Sequence, residues 1–556
     1  MRIAIALGVA SLALACSQHV RAQYEFSVAS LFQQPVELVK KPSHKIRGRA
    51  APIGGDDAKQ KQALADFERD FSAVLKRRQV PGMMYTVVRQ NKTIAASGLG
   101  ATDMTKPDSK VDGDTLFMIG SVTKSMTAAL FGTVADEGKV KFTDKISDTL
   151  PRFRLKDPIA SLQCTFEDAM SHRTGLPRHD ALLQLTKNDT VNDFLDRLRY
   201  LEPHTEFRST WEYNNMMWAV TGHAAAAALG NGVTYEDALQ KRIFDKTDMK
   251  TALPGPRFLP GSGRKASTGH ILVPTPDGKN YTLIALPAYN DIGVGAPAGN
   301  VLASANDAAA YLRMMLAKGL AQDGKTRVLS NTTVSEIFRS RMVFGNDGGD
   351  MPQPIFSKEQ TYAQGWFQLV YRGKHRIIQH GGAIDGFITL FALFPDDDLA
   401  IAASINQFTD FSSYAAVLDL ADRFLGYDDV DWGALYGNFV DASLKKGLQK
   451  PERIPGTQPS RPIDAYLGNY MHKGYGTMRV TKRDGVVDSK DGLLLSFGSL
   501  VLPLKHAQYD TYTLALGIET SFDVTFFSTN GAKSMSYINM ASLEPALKEL
   551  IFTKTI

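Results

Sequence analysis

The sequence predicts a mixed α and β domain followed by a small all-β domain, and three observations carry that reading. Strand-like runs bracket a helical middle: "MMYTVVRQNKTIAASGLG" (83–100) reads as a hairpin turning at Gln90-Asn91-Lys92, and strand signals return at "WFQLVY" (366–371) and "ITLFALFPDDDLAIAASI" (388–404). "KKGLQKPERIPGTQPSRP" (445–462) is rich in proline, glycine and charge and lacks apolar periodicity, the composition of a linker. Beyond it come short strands separated by glycine and Asp-Gly turns, among them "YGTMRVTK", "GLLLSF", "SLVLPLKH", "TYTLAL" and "FDVTFFST". A chain of 556 residues is also longer than one compact core favours.

The elements follow in order. Arg2, the apolar run Ile3–Ala15 and the small-residue end Val20-Arg21-Ala22 read as a signal peptide over 1–22, so the chain is expected to be secreted. A rival cut before Cys16, in "LALAC", would suit a lipid-anchored or periplasmic bacterial protein. Residues 23–60 read as irregular, with Leu64, Phe67, Phe71 and Leu75 then marking a helix over 61–80. A helix is expected from about 121 to 137, stopped by Gly138. Further helices are expected at 218–230, 304–319 and 412–426. The domain limits that result are 61–440 for the larger unit, 441–462 for the linker and 463–556 for the β domain.

Composition excludes several partners. The net charge of +5 is small for this length, so nothing calls for nucleic acid. No internal run of about 18 apolar residues would span a membrane. Loss of the leader removes Cys16 and leaves Cys164 without an intrachain disulfide partner. Sequons at Asn91, Asn188, Asn280 and Asn331 are glycan acceptors if the chain passes through a eukaryotic secretory route.

"FMIGSVTKSMTAALFG" (117–132) carries the chemistry. A serine hydroxyl is a poor nucleophile until a base takes its proton. Ser121 and Lys124 are one helical turn apart on one face, so the amine can reach the hydroxyl oxygen. A serine at a helix N-terminus also sits where backbone N–H groups favour developing negative charge. Ser262–Lys265 and Ser443–Lys446 repeat the spacing, but neither opens an apolar helix.

Two further triplets complete a set: Tyr213-Asn214-Asn215 and His380-Gly381-Gly382, the latter expected at a strand beginning. The order Ser-x-x-Lys, Tyr-x-Asn, His-x-Gly resembles the β-lactamase-related serine hydrolases: class C β-lactamases, D-alanyl-D-alanine carboxypeptidases, D-aminopeptidases and esterases. "MSHRTGLPRHD" (170–180), "GAPAGNVLASANDAAAYL" (295–312) and "YAQGW" (362–366) resemble further segments of that family, so the likeness spans about 65–430. The module after the linker is similar to the C-terminal domain appended to some members, and secreted animal members, including mollusc shell-matrix proteins, are similar overall.

The resemblance implies a mostly antiparallel sheet flanked by helices, with a helical subdomain. It implies that Ser121 forms an acyl-enzyme, that Lys124 and Tyr213 share the base work, and that Asn215 positions the lysine or the substrate amide. His380 would stand in for the third-motif lysine and bond toward the tyrosine or substrate. Gly382 would let substrate lie along the strand, and the N–H groups of Ser121 and Ala383 would form the oxyanion hole. Such acyl transfer needs no cofactor or metal. The departure is His-Gly-Gly where β-lactamases carry Lys-Thr-Gly or Lys-Ser-Gly. Two groups suited to a substrate carboxylate are missing, which points to an esterase, amidase or peptidase rather than an efficient β-lactamase. Each triplet residue has a structural alternative: Tyr213 as a half-buried aromatic, Asn215 as a cap, His380 as a strand-end histidine. The corresponding rival for the whole chain is an extracellular matrix or binding protein that keeps the fold without the activity.

Overall fold

The computed structural model describes residues 57–275, 279–344, 355–357, 359–447, 452–482, 492–498, 500–514, 522–528 and 534–555. The stretch read as a signal peptide (1–22), and residues 23–56 of the stretch read as irregular, lie outside the described residues.

The N-terminal hairpin forms because its two turn residues accept left-handed backbone. Gln90 and Asn91 have φ of 49° and 55°, the geometry that matches the twist of β1 (Gly82–Arg89) and β2 (Lys92–Gly100). β1 is buried at every position because it is covered on both faces. Met83, Tyr85 and Val87 pack with Phe67 and Phe71 of α1 (Asp57–Arg78) and with α5 (Ser412–Leu425), while Met84 and Val88 join the opposite core with α4 (Ala305–Leu316).

The remaining strands of this sheet are β3 (Met342–Phe344), β4 (Gln360–Tyr362), β5 (Phe367–Tyr371), β6 (His375–Ile384), β7 (Phe387–Phe394) and β8 (Leu399–Ile405). The sheet order is β2-β1-β8-β7-β6-β5-β4-β3, with every neighbouring pair antiparallel. The N-terminal hairpin thus completes a sheet whose other strands come from the far end of the domain, in register Met83↔Ile405. Between them lies the helical part, including α2 (Thr123–Asp136) and α3 (Asn215–Leu229). The result is a β-lactamase/transpeptidase-like fold.

Several boundaries differ from expectation. α1 starts at Asp57, inside the stretch read as irregular. α6 (Trp432–Gly447) runs past 441, where the linker was expected to begin, because Trp432, Leu435 and Val440 are buried against the core that α1 and α5 share. β6 was not separated out in the sequence, and it starts five residues before His380. His380-Gly381-Gly382 therefore sits inside a strand, not at its beginning.

The C-terminal domain closes into an eight-stranded antiparallel barrel, β9 to β16 in chain order. Its first and last strands, β9 (Gly468–His472) and β16 (Ile551–Thr555), pair through Tyr470↔Lys554, which removes both free edges. Neither strand was read from the sequence.

Candidate active site

The site forms where β6 meets the turn that leads into α2. Ser121 lies in a 3-10 turn, Gly120–Val122, and not in the first α-helical turn as the spacing predicts; the α-helix begins at Thr123. Lys124 nevertheless reaches it. Its Nζ donates to Ser121 Oγ at 3.0 Å and to the Ala298 carbonyl at 2.8 Å. The Ala298 carbonyl comes from the Pro297-Ala298-Gly299 segment, which sits close on α3 because Gly222 leaves room there: a Cβ on Gly222 would lie 2.4 Å from Pro297 Cβ. Lys124 is fully buried and Ser121 is 6% exposed.

Glycine sets the approach of β6 to this turn. Gly120 has φ +53°, and a Cβ there would lie 2.8 Å from Ala383 N. A Cβ on Gly382 would lie 1.9 Å from the Ile119 carbonyl and 3.1 Å from Ser121 N. The N–H groups of Ser121 and Ala383 therefore lie next to each other. The β5 ladder ends at Gln379↔Phe367, so β5 does not cover the Gly381–Ala383 edge. Gly381 answers a different neighbour, since a Cβ there would meet the Tyr414 hydroxyl at 1.8 Å.

His380 belongs to the site but bonds to a different tyrosine from the one expected. Its Nε2 accepts from Tyr362 Oη at 3.1 Å, and its Nδ1–H donates to the Gly381 carbonyl at 2.6 Å. The Tyr213 ring is 6.4 Å away, centroid to centroid. Burial and the nearby Lys124 charge hold the imidazole down at about 3, so it is neutral.

Tyr213 is half-buried, with Lys124 Nζ 4.9 Å and the Arg178 guanidinium 4.7 Å from its ring centroid. His172 stacks on the same ring at 4.3 Å and accepts from Asn214 N through Nδ1. Burial and the Lys124 charge keep His172 neutral too. Trp211 and Phe367, both half-buried, extend an aromatic wall past Tyr213, Tyr362 and His380.

Asn215 is not the cap that its alternative reading makes it. The cap of α3 is Asn214, whose Oδ1 accepts from Met217 N at 2.9 Å. The Asn215 side-chain amide donates to Asp180 Oδ1 at 2.6 Å. Tyr362, Arg178, Asp180 and Ala298 were not singled out from sequence. They lie in segments that drew attention as runs, but nothing in a run marks which member faces the site.

Both decoy pairs fall away. Lys265 is tied to Asp112 at 2.7 Å on the surface, and Ser443 lies within α6. The four sequon asparagines are exposed, and Cys164 is a buried free thiol.

The β-lactamase family profile matches residues 67–423, more than half of the chain, over the region that holds all three triplets. The chain belongs to the β-lactamase family. A second profile, a domain of unknown function (DUF3471), matches 452–554, the barrel. An unguisins hydrolase of Aspergillus violaceofuscus is 28% identical over 466 residues, 77% of this chain and 77% of that protein. Penicillin-binding protein 4 of Amycolatopsis lactamdurans is 26% identical over 224 residues, 40% of this chain and 55% of that one. In fold, the octameric penicillin-binding protein homologue from Pyrococcus abyssi aligns with a TM-score of 0.53 at 16% identity, covering 88% of this chain and all of that one. The family match makes the chain a serine hydrolase of the β-lactamase family.

Proposed function

We propose that this hydrolase is secreted and cleaves an uncharged ester or amide through an acyl-serine at Ser121. The observation that carries the reading is the 3.0 Å bond from a fully buried Lys124 to Ser121 Oγ, beside the adjacent N–H groups of Ser121 and Ala383. Lys124, in its neutral form or through Tyr213, takes the hydroxyl proton as Oγ attacks the carbonyl carbon. The two N–H groups receive the oxyanion. The same base returns the proton to the leaving alcohol or amine, and water then hydrolyses the acyl-serine by the reverse relay.

The third motif supports an uncharged substrate. A neutral His380, satisfied by Tyr362 and Gly381, offers no cation to a substrate carboxylate, and Gly381 offers no hydroxyl. The Trp211–Phe367 wall suits an apolar group instead. Hydrolysis of short p-nitrophenyl esters, N-acetylated amino-acid p-nitroanilides and nitrocefin, by wild type and Ser121→Ala, tests this. Ser121-dependent turnover of neutral esters or amides that exceeds nitrocefin turnover is expected. Faster nitrocefin turnover would overturn the substrate class. A folded protein inert toward all three that binds chitin or mineral would favour the matrix rival.

A further inference from the structure

The loop from His172 to Asp180 is held at both ends in backbone that L-residues rarely adopt. His172 has φ +60° and His179 has φ +49°. Such geometry persists only where neighbours over-determine it. Asn214 N holds His172. His179 is held mainly by the C-terminal barrel. Its backbone N–H donates to the Glu544 carboxylate, and its Nδ1 accepts from Tyr475 Oη at 2.7 Å. Its Nε2–H donates to the Glu202 carbonyl at 3.0 Å, within its own domain. His179, Tyr475 and Glu544 are all buried.

The residues on either side of His179 face the site. Arg178 stacks on Tyr213 and pairs with Asp180 at 2.6 Å, and Asp180 accepts the Asn215 amide at 2.6 Å. One tripeptide therefore joins the barrel to Tyr213 and Asn215 of the second triplet. Neighbouring contacts fix the same docking: Arg197 Nη1 donates to the Gly474 carbonyl at 3.2 Å, and Leu185 reaches the barrel rim at Gly498.

We infer that the barrel is part of the active-site framework, with Glu544 and Tyr475 acting as positioning residues that fix Arg178–Asp180 against Tyr213 and Asn215. This role rests on the acyl-serine reading above, because it assigns the barrel to the second triplet's service of Ser121. Neither residue touches substrate. Each acts through the backbone or ring of His179, and the expected consequence of losing one is a misplaced Tyr213 and not a lost chemical group.

The test uses the full chain. Glu544→Ala removes the acceptor, Glu544→Gln keeps one, Tyr475→Phe removes the donor to His179, and Arg453→Ala breaks the Arg453–Asp523 pair elsewhere in the barrel. Reactive serine is titrated with a fluorophosphonate, and ester kcat/KM is expressed per titrated site across pH. Hydrogen exchange is followed at 172–180 and 213–217. Glu544→Ala should lose about tenfold or more per site, shift the pH profile and quicken exchange in both segments. Tyr475→Phe should do so less strongly. Glu544→Gln and Arg453→Ala should stay within about twofold of wild type, whatever their thermal stability. Full activity per site and unchanged exchange in Glu544→Ala would overturn the role and leave the barrel a mere stabiliser. An unlabelled wild type would overturn the acyl-serine reading itself, and with it this one. Unchanged exchange beside a labelled wild type would overturn only the barrel's part.

Discussion

The Tyr362 hydroxyl donates to His380 Nε2 at 3.1 Å, while His380 Nδ1–H is spent on its neighbour's carbonyl at 2.6 Å. This fixes the tautomer and leaves the imidazole with both nitrogens satisfied. A residue that takes the place of a lysine in sequence thus does not take its charge. Tyr362→Phe leaves a buried nitrogen without its donor, at a cost of about 1–3 kcal/mol. The expected result is a lower Tm with kcat/KM reduced about tenfold, read by thermal melts and ester hydrolysis. An unchanged Tm would remove Tyr362 from the site's framework.

Lys124→Gln should lower kcat/KM by about 10²–10⁴-fold, the range of a lost general base. It keeps a polar group near the Ala298 carbonyl, so the fold should survive, and circular dichroism checks this. Activity within a few-fold of wild type would assign the base role to another residue.

The two glycines of the third triplet should respond differently. Gly381→Ala collides with the end of a side chain, the Tyr414 hydroxyl, so Tyr414→Phe should restore part of the lost activity. Gly382→Ala collides with the backbone at Ile119 and Ser121, so no side-chain change should relieve it. A shift of about 1 Å in β6 is enough to cost about 10²-fold. Kinetics on the single and double variants separate the two cases.

Glu544 gives a pH signature. Burial, and to a lesser degree the Asp180 charge, raise its carboxyl from 4.5 to about 7, against the His179 N–H bond and the Arg178 charge, which lower it. A raised carboxyl means the folded state holds a proton that the unfolded chain has released between about pH 4.5 and 7. Its contribution to stability therefore falls as pH rises through that window. Buried neutral histidines, including His172, His179 and His380, act in the opposite sense below their ordinary range, so the whole-protein curve mixes both. The difference isolates Glu544: the Tm of Glu544→Gln minus that of wild type should increase from pH 5 to pH 8. A flat difference would show that the carboxyl is not raised.

Much of this was legible in sequence because it depends on local pattern. The hairpin at 83–100, the strands flanking Pro395-Asp396-Asp397 and the three triplets are each encoded within a few residues. What escaped depends on distant neighbours. The closure of β9 onto β16 joins residues about 80 apart, and β16 lacks a flanking turn signal. The choice of Tyr362 over Tyr213 as partner of His380 follows from β4 lying two strands from β6. The bond from Asn215 to Asp180 depends on a loop held partly by the barrel. The 3-10 turn at Ser121 reflects β6 pressing on Gly120, which the Ser-x-x-Lys spacing does not reveal.

The most direct test of the central claim is peptide mapping after fluorophosphonate treatment of the purified protein, with Ser121→Ala alongside. The account predicts one adduct, on the peptide that carries Ser121, and none in the folded variant. An adduct on another serine, or none on the folded wild type, would contradict it.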